Sequence, residues 1–285
     1  MQRWLYKTLI SLILLLVPLF ANAWNSSGHM IIAQIAYDNL STATKRLVNQ
    51  YISIFHQSHP RYRYFIAASH YADDIRSKGN HQYDTWHFIN LPFSPQGLPA
   101  PKEKKQNLVW GINQCEQQLK NPQTSKQQKA FYLVMLLHLV GDAHQPMHCI
   151  SRITKRFPFG DRGGNLYPIK YAKKKNLHAF WDAAGGYFRQ RFHNQPLRYW
   201  QVRILAREIQ ARYPKAYFGN KLDDLHATDW VQSSFKIAKV FAYSTPKWRK
   251  PSRKYIMETR NISQQQIALA GYRLANWLNR NLTKV

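Results

Sequence analysis

The sequence predicts an all-α protein, a single domain of long packed helices. Three observations carry that expectation. Apolar residues recur at helical spacing through most of the chain. Gly and Pro, 26 residues together, fall mostly between the periodic segments. Strand-like alternation is weak, apart from one short hairpin expected within 156–171. The elements then read in order. Helices are expected over 31–39 and 41–55, the second capped by Ser41, and over 65–76, 106–119 and 126–144. Four more follow over 176–184, 197–212, 230–243 and 264–282. No internal repeat, low-complexity tract or linker divides them, so residues 24–285 read as one domain with a substantial core.

Residues 1–23 read as a secretory signal peptide. Arg3 and Lys7 make a positive start, Leu9 to Phe20 an apolar stretch, and Ala21-Asn22-Ala23 a small-x-small cleavage site. The apolar stretch is too short for a comfortable membrane span. The expectation is a secreted or periplasmic chain whose mature form begins at Trp24. That form keeps 39 Lys and Arg against 14 Asp and Glu. Such an excess attracts polyanions, nucleic acid or anionic membrane among them, although it also serves solubility alone. Two cysteines, Cys115 and Cys149, are too few for a disulfide scaffold. One bridge or two inert thiols is favoured over a metal role, even though Cys149 follows His148.

The chemistry lies in three pairs at one spacing: His138 with Asp142, His144 with His148, and His178 with Asp182. In a helix, residues i and i+4 share a face, so an imidazole and a carboxylate can grip one ion. This donor mixture suits zinc, and an open zinc position acidifies water. One such pair is usually a surface hydrogen bond. Three within a short stretch, with His29, His70, Asp73, Asp74, His81 and His87 upstream, favour a metal site. Pro146 interrupts the second pair and turns His148 toward a different ion. The remaining histidines, His56, His59, His193 and His226, read as surface residues.

Six segments resemble the trinuclear-zinc nucleases, the single-strand-preferring type I enzymes of plants, fungi and bacteria, which are related to the zinc phospholipases C. These are Trp24-Asn25-Ser26-Ser27-Gly28-His29, Tyr71-Ala72-Asp73, His87-Phe88-Ile89, the run from His138 to His148, Gly163-Gly164-Asn165, and the run from Asn176 to Asp182. They occur in the family's order across most of the mature chain, and the long histidine run is the most specific.

The resemblance implies three zinc ions. Trp24, through its free α-amino group and carbonyl, would hold one with His29 and Asp142. Asp73, His87 and His138 would hold a second, and His148, His178 and Asp182 a third. His144 is not a ligand in the family and reads as support or packing. Asp73 would also orient or deprotonate the attacking water, and Arg76, one helical turn on, would neutralise the transition state. Phe88 would stack a nucleobase above a pocket lined by Gly163, Gly164 and Asn165. Asn90 stands where fungal members carry a carboxylate, which puts base preference in question. Arg152, Lys155 and Arg156 lie in a stretch longer than the fungal one and offer phosphate contacts. Two basic segments, Lys173 to Lys175 and Lys247 to Lys254 with Trp248 and Tyr255 interleaved, read as solvated surface or as guides for a strand.

The activity implied is hydrolysis of single-stranded RNA and DNA to 5′-phosphorylated products, with 3′-nucleotidase activity as a possible extension. The alternatives are a zinc-dependent phospholipase C and a non-catalytic exported polyanion-binding protein with structural zinc.

Overall fold

The computed structural model describes residues 24–193 and 196–282; the signal peptide expected over 1–23 lies outside them. The all-α expectation holds. The helices are α1 (Ser26–Asp38), α2 (Thr42–Ser58), α3 (Phe65–Ala68), α4 (Tyr71–Ser77), α5 (Leu108–Lys120) and α6 (Lys126–Ala143). After the middle of the chain come α7 (Leu177–Asp182), α8 (Tyr187–Arg191), α9 (Tyr199–Arg212), α10 (Lys215–Phe218), α11 (Ala227–Val240) and α12 (Arg253–Asn281). Among the described residues no helix is long and apolar enough to cross a membrane.

Capping explains several boundaries. Ser125 and Gln128 form a reciprocal capping box that starts α6, satisfying donors that a helix N-terminus leaves unpaired. Ser41 caps α2 as expected. Asn25 accepts from the Gly28 N–H at 3.2 Å and starts α1 at Ser26, ahead of the expected position 31. α12 also starts early, at Arg253 rather than 264, behind the cap Ser252. Its first inward positions are Tyr255, Thr259, Ser263 and Gln264, so helical spacing is present there without an apolar signal.

The expected helix over 65–76 is broken between α3 and α4. Ser69 donates its hydroxyl to Ile66 O, and its own carbonyl accepts from His138 Nδ1 at 2.9 Å. The break thus gives a backbone acceptor to His138, one of the candidate ligands.

Among the described residues the sheet content is two short pairs. β1 (Pro92–Phe93) and β2 (Ser151–Arg152) are parallel, and β3 (Pro168–Tyr171) and β4 (Lys174–Asn176) are antiparallel. The second pair is the expected hairpin, placed later in the chain than 156–171. Strands of two to four residues carry too little alternation to be located from pattern.

α6 is the central rod, buried from Leu133 to Ala143. α1 lies against it and against α12, while α5 packs along its other side. A smaller apolar cluster gathers Phe180, Trp181 and Tyr255 behind α7. Tyr255 therefore belongs to the core, donating to Ala242 O at 2.6 Å, and does not guide a strand. Cys115 and Cys149 are both free and buried, and burial pushes both thiols up. They are inert thiols.

Candidate metal centre

Helix α6 sets the frame of the site. His138 and Asp142 lie one turn apart on it, both fully buried. α1 brings His29 against the same face. A Cβ on Gly141 would come within 2.7 Å of His29 Nδ1, so glycine permits this approach. α4 supplies Asp73, and the turn Asp84–His87 supplies His87. α6 ends at Ala143, and Pro146–His148 forms a separate turn that swings His148 toward α7, which bears His178 and Asp182.

The structure gathers these donors into three buried groups, each able to hold a metal ion: His29, His138 and Asp142; Asp73, His87 and His138; and His148, His178 and Asp182. Asp142 joins the first two. Its Oδ1 is 3.5 Å from His29 Nε2, while its Oδ2 is 3.1 Å from His87 Nδ1 and 3.3 Å from His138 Nε2. Asp73 Oδ1 lies 3.7 Å from both His87 Nδ1 and His138 Nε2. In the third group, Asp182 stands 3.7 Å from His148 Nε2 and 3.5 Å from His178 Nε2. Donors at about 2.0–2.1 Å around a tetrahedral zinc are separated by roughly 3.4 Å, which these spacings match.

Proton accounting makes the fit specific. His148 Nδ1 donates to His87 O at 2.6 Å and His178 Nδ1 donates to Gly163 O at 2.8 Å. In the neutral rings both Nε2 atoms then carry lone pairs, yet they face each other at 3.2 Å. His138, whose Nδ1 donates to Ser69 O, turns its Nε2 toward His87 Nδ1 at 3.1 Å, where a proton on His87 Nδ1 would satisfy it; the His148 and His178 pair has no such proton. Opposed lone pairs require a cation or a shared proton between them. Both ring nitrogens of His29, Asp73 Oδ1 and Asp142 Oδ1 are buried without a hydrogen-bond partner. Such atoms cost free energy unless something else satisfies them.

Burial drives the same groups toward neutrality. It raises Asp73 and Asp182 to about 7 and lifts Asp142 well above the usual carboxylate range. It also lowers His29, His87, His138, His148 and His178, with neighbouring imidazoles adding to the effect at His29 and His87. Bound cations reverse that penalty and favour ionised carboxylates with neutral imidazoles.

Trp24 is fully buried beside this cluster. Its indole donates to Gly141 O at 3.0 Å, and the next residue's N–H donates to Asp182 O at 3.0 Å. The first residue expected of the mature chain is thus pinned between the elements that carry Asp142 and Asp182.

A cleft of about 390 Å³ opens beside the third group. Arg76, Phe88, Asn90, Gly163, Asn165 and His178 are among its walls. Gly164 instead faces Met147 and Leu177. Arg162, Gly163 and Gly164 all have positive φ. A Cβ on Gly163 would lie 2.2 Å from Met147 O, so this turn requires glycine there. The cations lining the cleft are Arg76, Lys104 and Arg162. Arg152 packs over Tyr167 and Tyr243, and Lys155 and Arg156 are exposed outside the lining.

Several contributors escaped the sequence reading. Gln145 donates to Asp182 Oδ1 at 2.6 Å and orients it. Asp84 pairs with Arg76 at 3.2 Å. Glu103 accepts from the Asn90 N–H at 3.0 Å, bringing a carboxylate from another loop. Asp161 accepts from the N–H groups of Arg152 and Gly164 and from the Tyr243 hydroxyl, bracing the glycine turn. Only Gln145, inside the histidine run, carried a local signal; the others depend on tertiary contacts.

Other candidates fall outside the three groups. His70 binds Asp74 at 2.9 Å, and His81 binds Asp84 at 3.0 Å. His59, expected at the surface, stacks on Phe55 at 4.2 Å between ring centroids and is half-buried.

The S1/P1 nuclease family matches residues 24–283. Endonuclease 2 of Arabidopsis thaliana is 25% identical over 174 residues, covering 57% of this chain and 56% of that protein. Endonuclease 4 of the same plant is 41% identical over 51 residues, covering 18% of this chain and 15% of that protein. The matched part therefore spans little more than half of the first relative and a small part of the second. With the family match running from Trp24 past the end of the last helix, the chain belongs to the S1/P1 nuclease family.

Proposed function

We propose that this protein is a zinc-dependent nuclease that cuts single-stranded RNA and DNA to 5′-phosphorylated products. It would act outside the cell or in the periplasm after loss of residues 1–23. The opposed, unprotonated Nε2 atoms of His148 and His178, 3.2 Å apart, are the single observation that most favours the metal reading. His29 and Asp142 would hold one zinc with the Trp24 terminus, Asp73, His87 and His138 a second, and His148, His178 and Asp182 a third. Zinc bound there supplies Lewis acidity, which neutralises phosphate charge and acidifies water near neutral pH.

The chain's own groups supply the rest. Asp73 accepts a proton from the attacking water and orients it. Arg76, held by Asp84, presents its guanidinium to the charge developing on phosphate. Phe88, half-buried at the cleft, offers a ring face to an unpaired base, a contact that duplex stacking denies. Gln145 fixes Asp182 by donating to one of its oxygens. The family match favours this activity over a phospholipase C or a non-catalytic polyanion binder.

Incubating the chain beginning at Trp24 with single-stranded RNA and DNA, with and without chelator, tests the proposal. Chelator-sensitive release of 5′-mononucleotides is expected. Intact nucleic acid alongside cleavage of choline or inositol lipids would replace it with the phospholipase reading.

A further inference from the structure

Two neighbouring loops expose large aromatic side chains that the core does not use. Residues 154–160, which follow β2, form a closed turn. Its Phe157 N–H donates to Thr154 O at 2.9 Å, and its Gly160 N–H donates to Phe157 O at 3.0 Å. Phe159, in this turn, is 85% exposed. Trp248, in the loop between α11 and α12, is 60% exposed and has φ 59°. That left-handed conformation is strained for a residue with a large side chain. It is held from both sides, by the Trp248 N–H donating to Pro168 O at 2.8 Å and the Lys170 N–H donating to Arg249 O at 3.0 Å. A fixed backbone thus presents both rings to water. The loops meet over Tyr167, whose ring centroid lies 5.6 Å from the Arg152 guanidinium and 4.9 Å from the Lys247 ammonium.

Cations flank the two rings. Lys155, Arg156 and Arg249 are exposed, and Lys247 is half-buried. None of the four takes part in an ion pair among the described residues. Asp161, the carboxylate behind them, is buried and already accepts from the Arg152 and Gly164 N–H groups and the Tyr243 hydroxyl. Burial holds the Lys247 ammonium below its ordinary range, and the charges of Arg152 and Arg156 add to the effect. The positive charge here is crowded and has no anion of its own.

We propose that these two loops form a peripheral docking surface for an anionic phospholipid bilayer, with Phe159 and Trp248 entering the interfacial layer and Lys155, Arg156, Lys247 and Arg249 facing the lipid phosphates. Charge complementarity and shape select this occupant. Aromatic rings favour the boundary between headgroups and acyl chains. Lys and Arg beside them are drawn to a negative bilayer surface. Both rings project from turns and neither lines the cleft, whereas a single strand is held in a groove where its bases stack. Arg162 and Gly163, in the cleft wall, follow closely on Gly160, so docking places the cleft near the bilayer surface.

The test is co-sedimentation of the zinc-loaded chain beginning at Trp24 with lipid vesicles. Vesicles of equimolar phosphatidylglycerol and phosphatidylcholine should bind it, and vesicles of phosphatidylcholine alone should not. Phe159→Ser/Trp248→Asn, with an asparagine that tolerates the left-handed backbone, should weaken binding by about tenfold per ring, the low end for burying a large apolar side chain. Lys155→Gln/Arg156→Gln/Arg249→Gln should weaken it by roughly fivefold per cation. Tyr64→Ser/Trp200→Ser removes two exposed rings elsewhere and should bind as the wild type does. Trp248→Phe keeps an apolar ring, so it should still bind while losing most of the tryptophan quenching by brominated phosphatidylglycerol. Failure of the wild type to bind the anionic vesicles overturns the inference. So does an equal loss in the Tyr64/Trp200 control, or full quenching in Trp248→Phe. Weakened binding of a single-stranded 20-mer by the Phe159/Trp248 variant, with no vesicle binding by the wild type, overturns it in favour of nucleic acid. No readout involves cleavage, so failure of the nuclease reading leaves this test intact.

Discussion

Two buried polar networks grow from the same helix and end differently. His138 and Asp142 lie on one side of α6, and His144 caps its C-terminus. All three are almost completely buried. The His144 network is complete: Nδ1 donates to Val140 O at 2.8 Å, and Nε2 accepts from Arg273 at 3.0 Å. Arg273 also donates to Lys221 O at 2.9 Å and to Asp224 at 3.1 Å. The His138/Asp142 network is incomplete, with Asp142 Oδ1 and both ring nitrogens of His29 unpartnered. A buried network with all its partners holds a fold together. One with buried polar atoms left unpartnered calls for a ligand.

The largest expected effect comes from the incomplete network. Asp73→Asn should lower kcat/KM on single-stranded RNA by about 10²–10⁴-fold, with an unchanged circular dichroism spectrum. A near-wild-type rate would remove Asp73 from the chemistry. Gln145→Leu should weaken the third ion, costing about 10–100-fold in zinc affinity or activity, read by competition with a chromogenic chelator. The complete network should respond in stability alone. His144→Ala leaves the Arg273 guanidinium short of an acceptor and should cost about 1–3 kcal/mol in urea unfolding, with zinc content unchanged. Lost zinc would make the two networks one.

The smallest effect is a difference in pH dependence. Burial, aided by the Arg273 charge, lowers His144 from 6.5 to about 3. The stability tied to its neutral form is fully present above 6.5 and is lost as pH falls from there toward 3. In zinc-saturated buffer, the stability of the wild type should fall more steeply through that window than that of His144→Gln. Parallel curves would contradict the assignment.

Much of this was legible from the sequence. The periodicity of 126–144 located α6, and the repeated four-residue spacing drew attention to His138, Asp142, His178 and Asp182. The resemblance added Trp24 and singled out His29, Asp73 and His87 from the upstream His and Asp candidates. The start of α12 was hidden because Thr259, Ser263 and Gln264 fill inward positions with polar atoms. Ser69's role was hidden because a helix break has no spacing signature. Glu103 and Asp161 were missed because each acts through a backbone N–H from another part of the chain.

The most direct test of the metal centre is the zinc content of the purified chain beginning at Trp24, measured by elemental analysis after dialysis against trace zinc. Three zinc ions per folded chain are predicted; a folded chain that retains none would contradict the account.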